Sequence, residues 1–554
     1  MRSSLWFTKL WQSTLIAILA TACLYRFFTD CQVTIKETFD LGWLIQTGLY
    51  IQLHGIPHRD IFSWTNTDRS FIAYQWLSEV VIALIYQGGG LWLIGQIACL
   101  LAGLLYFFAM PAIWIKLRIK LSVTFALLAL ILTPHFFNAR PQLASYFFFL
   151  MLVWILEQGK RSTRRFGLLI PVFLIWVNVH SFWLIGLLIA VVYLFANLKV
   201  IGLKSVLGLL IALGGSVLCN PYGIELVQYL WTFVDGSQFL GMREVLPSWS
   251  DPSASLWFAY LTISLSILIA GRQNISKPGL IVCIVIAGMA LLVRRYQSVW
   301  VIVSWLYVGK ALTSCEWATI KAPDFNKKIL IPLLVTSIVV PFICWSMQCP
   351  NNKIAAQIFY EQNESILDWY KRLQPNYKGF ADPTSGSWLI GRGYFPVFID
   401  TRYDMYPKEF CQQVLETLRG DTGWQDFIKT KNVSMILVRN EFPLFAKLEE
   451  AQDWFPAVDN GRLSIWLHVS QKNPDRELAQ LKLQNSQIEN VLTTGSSEQL
   501  QTVKTRCRWY YKTSFNAYTA ELSKQKITDA LALMPESVIL KKRWATLNTA
   551  SRQK

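Results

Sequence analysis

Residues 38–64 read TFDLGWLIQTGLYIQLHGIPHRDIFSW and set two carboxylates, Asp40 and Asp60, on either side of an HGIP chain breaker. Carboxylates titrate near pH ~4 in water, so at neutral pH they are ionised and can serve as general bases toward a hydroxyl group. Each acid also has a plainer explanation. Asp40 opens the run LGWLIQTGLYIQL, where an acid favours a helix start, and Asp60 in PHRDIFS suits a turn. Aromatic residues frame the two, Trp43 and Trp76 among them. The carboxylates could share a divalent cation, but one pair is thin evidence for an octahedral site, and no cofactor is required by the sequence.

Cations suited to an anionic group lie at the ends of other apolar segments: Arg140, Arg243, Arg294 and Arg295. Arginine can grip phosphate oxygens with two parallel N–H bonds. The plainer reading for Arg140 and Arg243 is an interfacial side chain that reaches for water. Arg294 and Arg295 are adjacent, and adjacent positions on a helix do not share a face. His180 sits at a break between two apolar segments with Asn178 nearby; both are candidate substrate contacts, or hydrogen-bonded helix-end residues. Glu79 reads as a helix-surface acid.

What positions these groups is read from hydropathy. Of the 554 residues, 53% are hydrophobic, and the mean hydropathy is +0.34. A soluble chain of this size would have to cover itself with more polar surface. Apolar segments fall at about 10–28, 91–115, 121–134, 142–157, 166–179, 181–198, 203–219, 255–270, 278–293, 297–313 and 329–347. Several are shorter than the ~20 residues of a perpendicular crossing and must extend into semi-polar flanks. The N-terminal run has a basic start but no small-residue cleavage site after Phe28, which favours a first transmembrane helix over a signal peptide.

The net charge of +17 comes from 52 Lys and Arg against 35 Asp and Glu. Much of it lies in short loops such as KLRIK, GKRSTRR, KVIGLK, GRQNISK and KAPDFNKK. That placement marks cytoplasmic loops and argues against nucleic acid as a partner. The loops fall on one side if WLSEVVIALIYQ, ended by GGG at 88–90, does not cross by itself but forms a juxtamembrane or half-inserted helix. The expectation is then about eleven crossings in residues 1–348, with the N-terminus cytoplasmic and everything after Met347 extracytoplasmic in an inner (plasma) membrane protein. The outer side receives the 29–75 loop, HFFNARP, VNVHS, the 220–254 loop and VRRYQ.

Residues 349–474 read as an α/β domain, with PVFIDTRYDMYP (396–407), VSMILVR (433–439) and RLSIWLHVS (462–470) as strands and EFCQQVLETLRG and EFPLFAKLEEAQ as helices. Residues 475–554 form a helical segment with a tetratricopeptide-like hairpin pattern. The basic KKRW near the end suits anionic headgroups. The ten cysteines show no C-x-x-C and no Cys/His cluster, so a structural zinc is not expected. Cys344 and Cys349 are close enough in sequence to pair in an oxidising compartment, or are two unrelated thiols.

Taken in order, D-x-G-W (40–43), G-I-P-x-x-D-x-F-S-W-T (55–65), Q-W-L-S-E (75–79), R-P-Q-L (140–143), W-x-N-x-H (176–180), N-P-Y-G (220–223) and F-I-D-x-R-x-D-x-Y (398–406) resemble the GT-C class of membrane glycosyltransferases. The likeness is to a bacterial branch related to the protein-mannosyltransferase and aminoarabinose-transferase type, and extends to about residue 470. Leu44 departs from it, since such enzymes more often carry His there. The resemblance implies a polytopic α-helical membrane domain with two juxtamembrane helices in the first outer loop. It also implies transfer of a hexosyl or pentosyl group from a polyprenyl-phosphate lipid to a lipid, glycan or protein acceptor in the cell envelope, with inversion. On that reading Asp40 is the base, and Asp60 orients the acceptor or holds a divalent cation if one is used. Arg140, Arg243, Arg294 and Arg295 would receive the donor phosphate, and His180, Asn178, Trp43 and Trp76 the substrate. Asp400, Arg402 and Asp404 fit a salt-bridged strand end better than a substrate site. A transporter or flippase would carry an internal repeat and mid-membrane breaks, which are not evident here. A carbohydrate polymerase or ligase of the other membrane-transferase type would carry its active residues in a large late loop, not the first; a non-catalytic assembly protein keeping the same architecture is the third alternative.

Overall fold

A computed structural model describes residues 40–66, 70–105, 139–159, 163–235, 246–250, 255–312, 364–374, 378–451, 453–459 and 463–468. The apolar segments at 10–28, 121–134 and 329–347, Arg243, Cys344, Cys349 and the 475–554 segment lie outside the described residues. The chain divides into two compact units, one of residues 1–59 and 70–358, the other of 60–69 and 359–554. Residues 60–69 of the first loop thus group with the C-terminal part of the chain, and the boundary that the sequence reading set at 348 falls at 358.

In the first unit the helices are α1 (Asp40–His54), α2 (Trp76–Leu104), α3 (Gln142–Gly159), α4 (Leu169–Trp176), α5 (Trp183–Ala196), α6 (Leu198–Ile201), α7 (Leu203–Gly215), α8 (Ile224–Asp235), α9 (Ser255–Ala270), α10 (Lys277–Leu292) and α11 (Gln297–Leu312). α1 packs against α2, and the approach is close enough to require a glycine. A Cβ on Gly48 would lie 2.1 Å from the carbonyl oxygen of Glu79. Glu79, expected on a helix surface, is accordingly buried with 1% of its surface exposed. α2 is two helices joined at a kink, where Gly90 adopts φ +65° and ψ −159°, a conformation that a side chain disfavours. The break falls at the GGG stop read from the sequence.

Among the described residues only Trp76–Ala98 is a helix long and apolar enough to cross a membrane. A second candidate arises if Leu203–Cys219 and Ile224–Trp231, bent by 95°, count as one span. Gln142–Glu157, Trp183–Ala196, Trp257–Ala270 and Lys277–Leu292 are apolar but shorter. They match the apolar segments read from sequence, yet eleven crossings are not shown by the described helices.

The helix ends of this unit carry two polar clusters. At one end, Glu157 near the end of α3 accepts from Tyr193 of α5, from Lys310 near the end of α11, and from Ser276, which lies 2.9 Å away. Ser276 also caps α10, accepting from the Gly279 amide at 3.2 Å. The opposite ends of α3, α5, α10 and α11 meet the residues that the sequence singled out. From Arg140 to Glu157 the chain rises about 25 Å at 1.5 Å per helical residue.

The second unit holds α12 (Glu364–Leu373), β1 (Gly379–Ala381), α13 (Pro383–Gly391), α14 (Lys408–Arg419), α15 (Trp424–Thr430), β2 (Met435–Arg439), α16 (Pro443–Glu450), β3 (Trp454–Asp459) and β4 (Leu463–His468). Its sheet runs β1-β2-β4-β3, parallel only between β1 and β2. Phe380, Trp388, Ile436, Leu437 and Trp466 are buried at its core. The α/β expectation holds for β2, β4, α14 and α16, but PVFIDTRYDMYP is no sheet strand. It runs extended into a 3-10 turn at Tyr403–Met405 and bonds instead to the first-loop residues. The Val397 amide donates to the Phe62 carbonyl at 2.7 Å, and the Trp64 amide to the Val397 carbonyl at 3.0 Å. The Asn66 Nδ2 donates to the Met405 carbonyl at 2.9 Å. Its apolar run reads as a strand because it is buried; a partner more than 300 residues away in sequence takes its hydrogen bonds.

Candidate active site

Asp40 stands in the first turn of α1, and its Oδ2 lies 2.8 Å from Nη2 of Arg140, just ahead of α3. Both side chains keep about a fifth of their surface exposed, 20% for Asp40 and 23% for Arg140. The candidate base and a candidate phosphate cation are therefore direct partners. Trp43, one turn further along α1, is half-buried, and its carbonyl accepts from the Thr47 hydroxyl at 2.8 Å.

A network of hydrogen bonds joins four of the sequence motifs. The Trp76 indole donates to Asn178 Oδ1 at 2.7 Å. The Asn220 amide donates to the same oxygen at 3.2 Å and to the Val177 carbonyl at 3.3 Å, while its Oδ1 accepts from the Tyr222 amide at 3.1 Å. The Tyr222 hydroxyl donates to the Pro57 carbonyl at 2.6 Å. Burial raises the Tyr222 phenol above its ordinary range, so it stays protonated and keeps donating. Ser78 Oγ donates to the Val179 carbonyl at 2.8 Å. Trp76 and Asn178, expected at the substrate, thus spend polar atoms on each other and act as supports for the turn that carries His180.

His180 is 3% exposed, and its Nδ1 accepts from the Phe182 amide at 3.3 Å. Its ring meets Phe182 edge-on, with centroids 4.5 Å apart. Burial pulls His180 well below the usual histidine range, and the charges of Arg295 and Arg140 pull it the same way, so the ring is neutral. The Arg295 guanidinium lies over the Phe182 ring at 5.7 Å. Its Nε is buried and has no hydrogen-bond partner among the described residues. Arg294 precedes it in a 3-10 turn, Arg294–Tyr296, and its amide donates to the Leu246 carbonyl at 3.0 Å. The structure therefore brings Asp40, Arg140, His180 and Arg295 into one electrostatic neighbourhood.

Asp60 has a different environment from the one expected. It belongs to the second unit, with its side chain at 0% exposure. Oδ1 accepts from the Phe62 amide at 3.0 Å and from Arg402 Nη2 at 3.0 Å, and Oδ2 accepts from the Ser63 hydroxyl at 2.7 Å. Arg402 also forks onto Asp400, Nε to Oδ1 at 2.9 Å and Nη2 to Oδ2 at 2.6 Å, and stacks over Phe62 at 4.9 Å. Burial would pull the guanidinium down, but Asp400 and Asp60 outweigh it and hold the group charged. The Tyr406 hydroxyl donates to Asp400 Oδ2 at 2.9 Å. Asp60, read from the sequence as an acceptor-orienting or metal-binding acid, sits in the structure within a buried ion-pair cluster in which both of its oxygens accept hydrogen bonds. Among the described residues, no group of three or more His, Cys, Asp or Glu could hold a metal ion.

Sequence reasoning picked out Asn220, Tyr222 and Phe182 only as motif members or not at all. The N-P-Y-G signature was the available signal for the first two. Compared with known proteins, the chain matches no family model, and no curated protein matches it.

Proposed function

We propose that the protein is an integral-membrane glycosyltransferase of the GT-C type that moves a hexosyl or pentosyl group from a polyprenyl-phosphate lipid to an extracytoplasmic lipid, glycan or protein acceptor. The observation that carries the reading is the Asp40–Arg140 pair beside Arg295 and neutral His180. One carboxylate, itself the base, with two guanidiniums makes a net positive cluster, the combination that transfer away from a phosphate requires. In the step proposed, Asp40 takes the proton of the acceptor hydroxyl as its oxygen bonds to the anomeric carbon. The bond from that carbon to the phosphate oxygen breaks, and the electron pair leaves with the lipid phosphate, which Arg140 and Arg295 neutralise. A single displacement of this kind inverts the anomeric centre.

Support for the membrane setting comes from the two polar clusters about 25 Å apart along apolar helices, close to the ~30 Å of a bilayer core. On this reading the Asp40 end faces outward, and the Glu157 end sits with the basic loops in the cytoplasm.

The test compares wild type with Asp40→Asn in nanodiscs, supplied with radiolabelled polyprenyl-phosphate sugars. Release of label by wild type, abolished by the substitution, supports the reading and names the sugar. Equal release by both removes Asp40 from the chemistry. No release by either, with folding verified, favours an assembly protein or a lipid transporter.

A further inference from the structure

We propose that His180 is a neutral hydrogen-bond donor within an anion site formed with Arg140 and Arg295, and that it presents its Nε2–H to a phosphate group. Placing that phosphate on the departing lipid rests on the function proposed above; the anion site itself does not. The tautomer follows from geometry. A backbone amide can only donate, so the Phe182 N–H aimed at Nδ1 makes that nitrogen the acceptor. The ring proton then sits on Nε2, for which no hydrogen bond is made among the described residues. Phe182 holds the arrangement twice over, by this amide and by the edge-on contact of its ring with the imidazole. The same ring carries the Arg295 guanidinium on its face.

Charge supplies the second line of argument. His180 lies within the electrostatic reach of Arg295 and Arg140, and Arg140 is partly neutralised by Asp40. A third cation among them would repel, whereas a neutral N–H adds a directed bond without that cost. Arg295 Nε is buried without a partner, a state that native proteins rarely leave unfilled unless a ligand or water completes it. A tetrahedral phosphate offers enough oxygens to meet Nε2–H and both guanidiniums together.

The experiment uses the full chain in nanodiscs, labelled with 15N-histidine; the protein has five histidines. The His180 signal is assigned by its loss in His180→Gln. The expected result is an Nε2–H tautomer that is still neutral in acid where an ordinary histidine is charged. Added polyprenyl monophosphate should shift the signal, and Arg295→Gln should weaken that shift. If inorganic phosphate shifts it equally, the site reads the anion; if only the lipid form does, the site reads the whole headgroup. A signal that moves with neither, or that becomes doubly protonated when phosphate binds, overturns the proposal. In turnover, His180→Leu should lose roughly 10²-fold or more in kcat, as for other single donors to a developing anion, and His180→Gln should recover much of it. Sugar transfer with an unmoved His180 signal sinks this proposal alone. A phosphate shift without any donor consumption leaves the anion site standing and sinks the transferase reading.

Discussion

Arg402 and Asp60 are 342 residues apart in the chain, yet Nη2 and Oδ1 lie 3.0 Å from each other inside one compact unit. The guanidinium serves two carboxylates at once, since Nη2 is shared between Asp60 and Asp400 while Nε bonds Asp400 as well. An ion triad at this depth stands only while all three members are present, because removal of one leaves buried charge without a counterpart.

Arg402→Met should therefore destabilise the protein by about 3–5 kcal/mol, read as a fall in melting temperature followed by intrinsic fluorescence in detergent. Asp60→Asn should also lower the melting temperature, and the double variant should lose less than the sum of the two. An Asp60→Asn protein that melts like wild type but has lost turnover would return Asp60 to the chemistry.

Asp40→Asn should behave in the opposite way. Its ion pair with Arg140 is partly solvated, and such pairs contribute about 0–1 kcal/mol. We expect an unchanged melting temperature together with a loss of transfer rate of at least about 10²-fold, measured as label released per minute.

His180 predicts a pH dependence of stability. The folded ring resists protonation, whereas the unfolded chain takes up a proton near pH ~6.5. Below that pH the unfolded state binds more protons, so stability falls on acidification, by at most ~1.4 kcal/mol per pH unit from this group, and is fully present above it. The groups facing the ring are Arg295 and Arg140, the latter paired with Asp40. Unfolding curves from pH 5 to 8 should flatten in His180→Asn; an unaltered profile would place the dependence elsewhere.

Trp76→Phe removes the indole donor from Asn178 Oδ1 while Asn220 still donates there. The expected cost is about 0.5–1.5 kcal/mol. Asn220→Leu breaks four connections at once, to Tyr74, Val177, Asn178 and Tyr222, and should cost more, with the larger change in melting temperature as the readout.

Sequence patterning conveyed elements better than partners. The apolar runs at 255–270 and 278–293 reappear as α9 and α10, and the GGG stop as the kink in α2, because periodicity and glycine conformation are local properties. Asp40 and Arg140 were both selected as residues, but nothing in the chain announced that they pair. Asp60 hid its partner for the same reason. Its role depends on Arg402, and a turn acid looks alike whether its partner is solvent or a distant guanidinium. Strand β1 is only three residues long, Gly379–Ala381, too short for alternation to register. The 396–400 run was apolar enough to be called a strand, while its bonding partners lay in a loop near the other end of the sequence.

The assignment of residues 60–69 to the C-terminal unit has a consequence for how the protein is made. Translation proceeds at roughly 5–20 residues per second, so Arg402 leaves the ribosome roughly 20–70 s after Asp60. Through that interval Asp60, Ser63 and Asn66 have none of their final long-range partners. A premature stop anywhere before Arg402 would thus leave a defect near the beginning of the chain, and a quality-control protease that recognises exposed loops would find such a product cut-ready at residues 60–66.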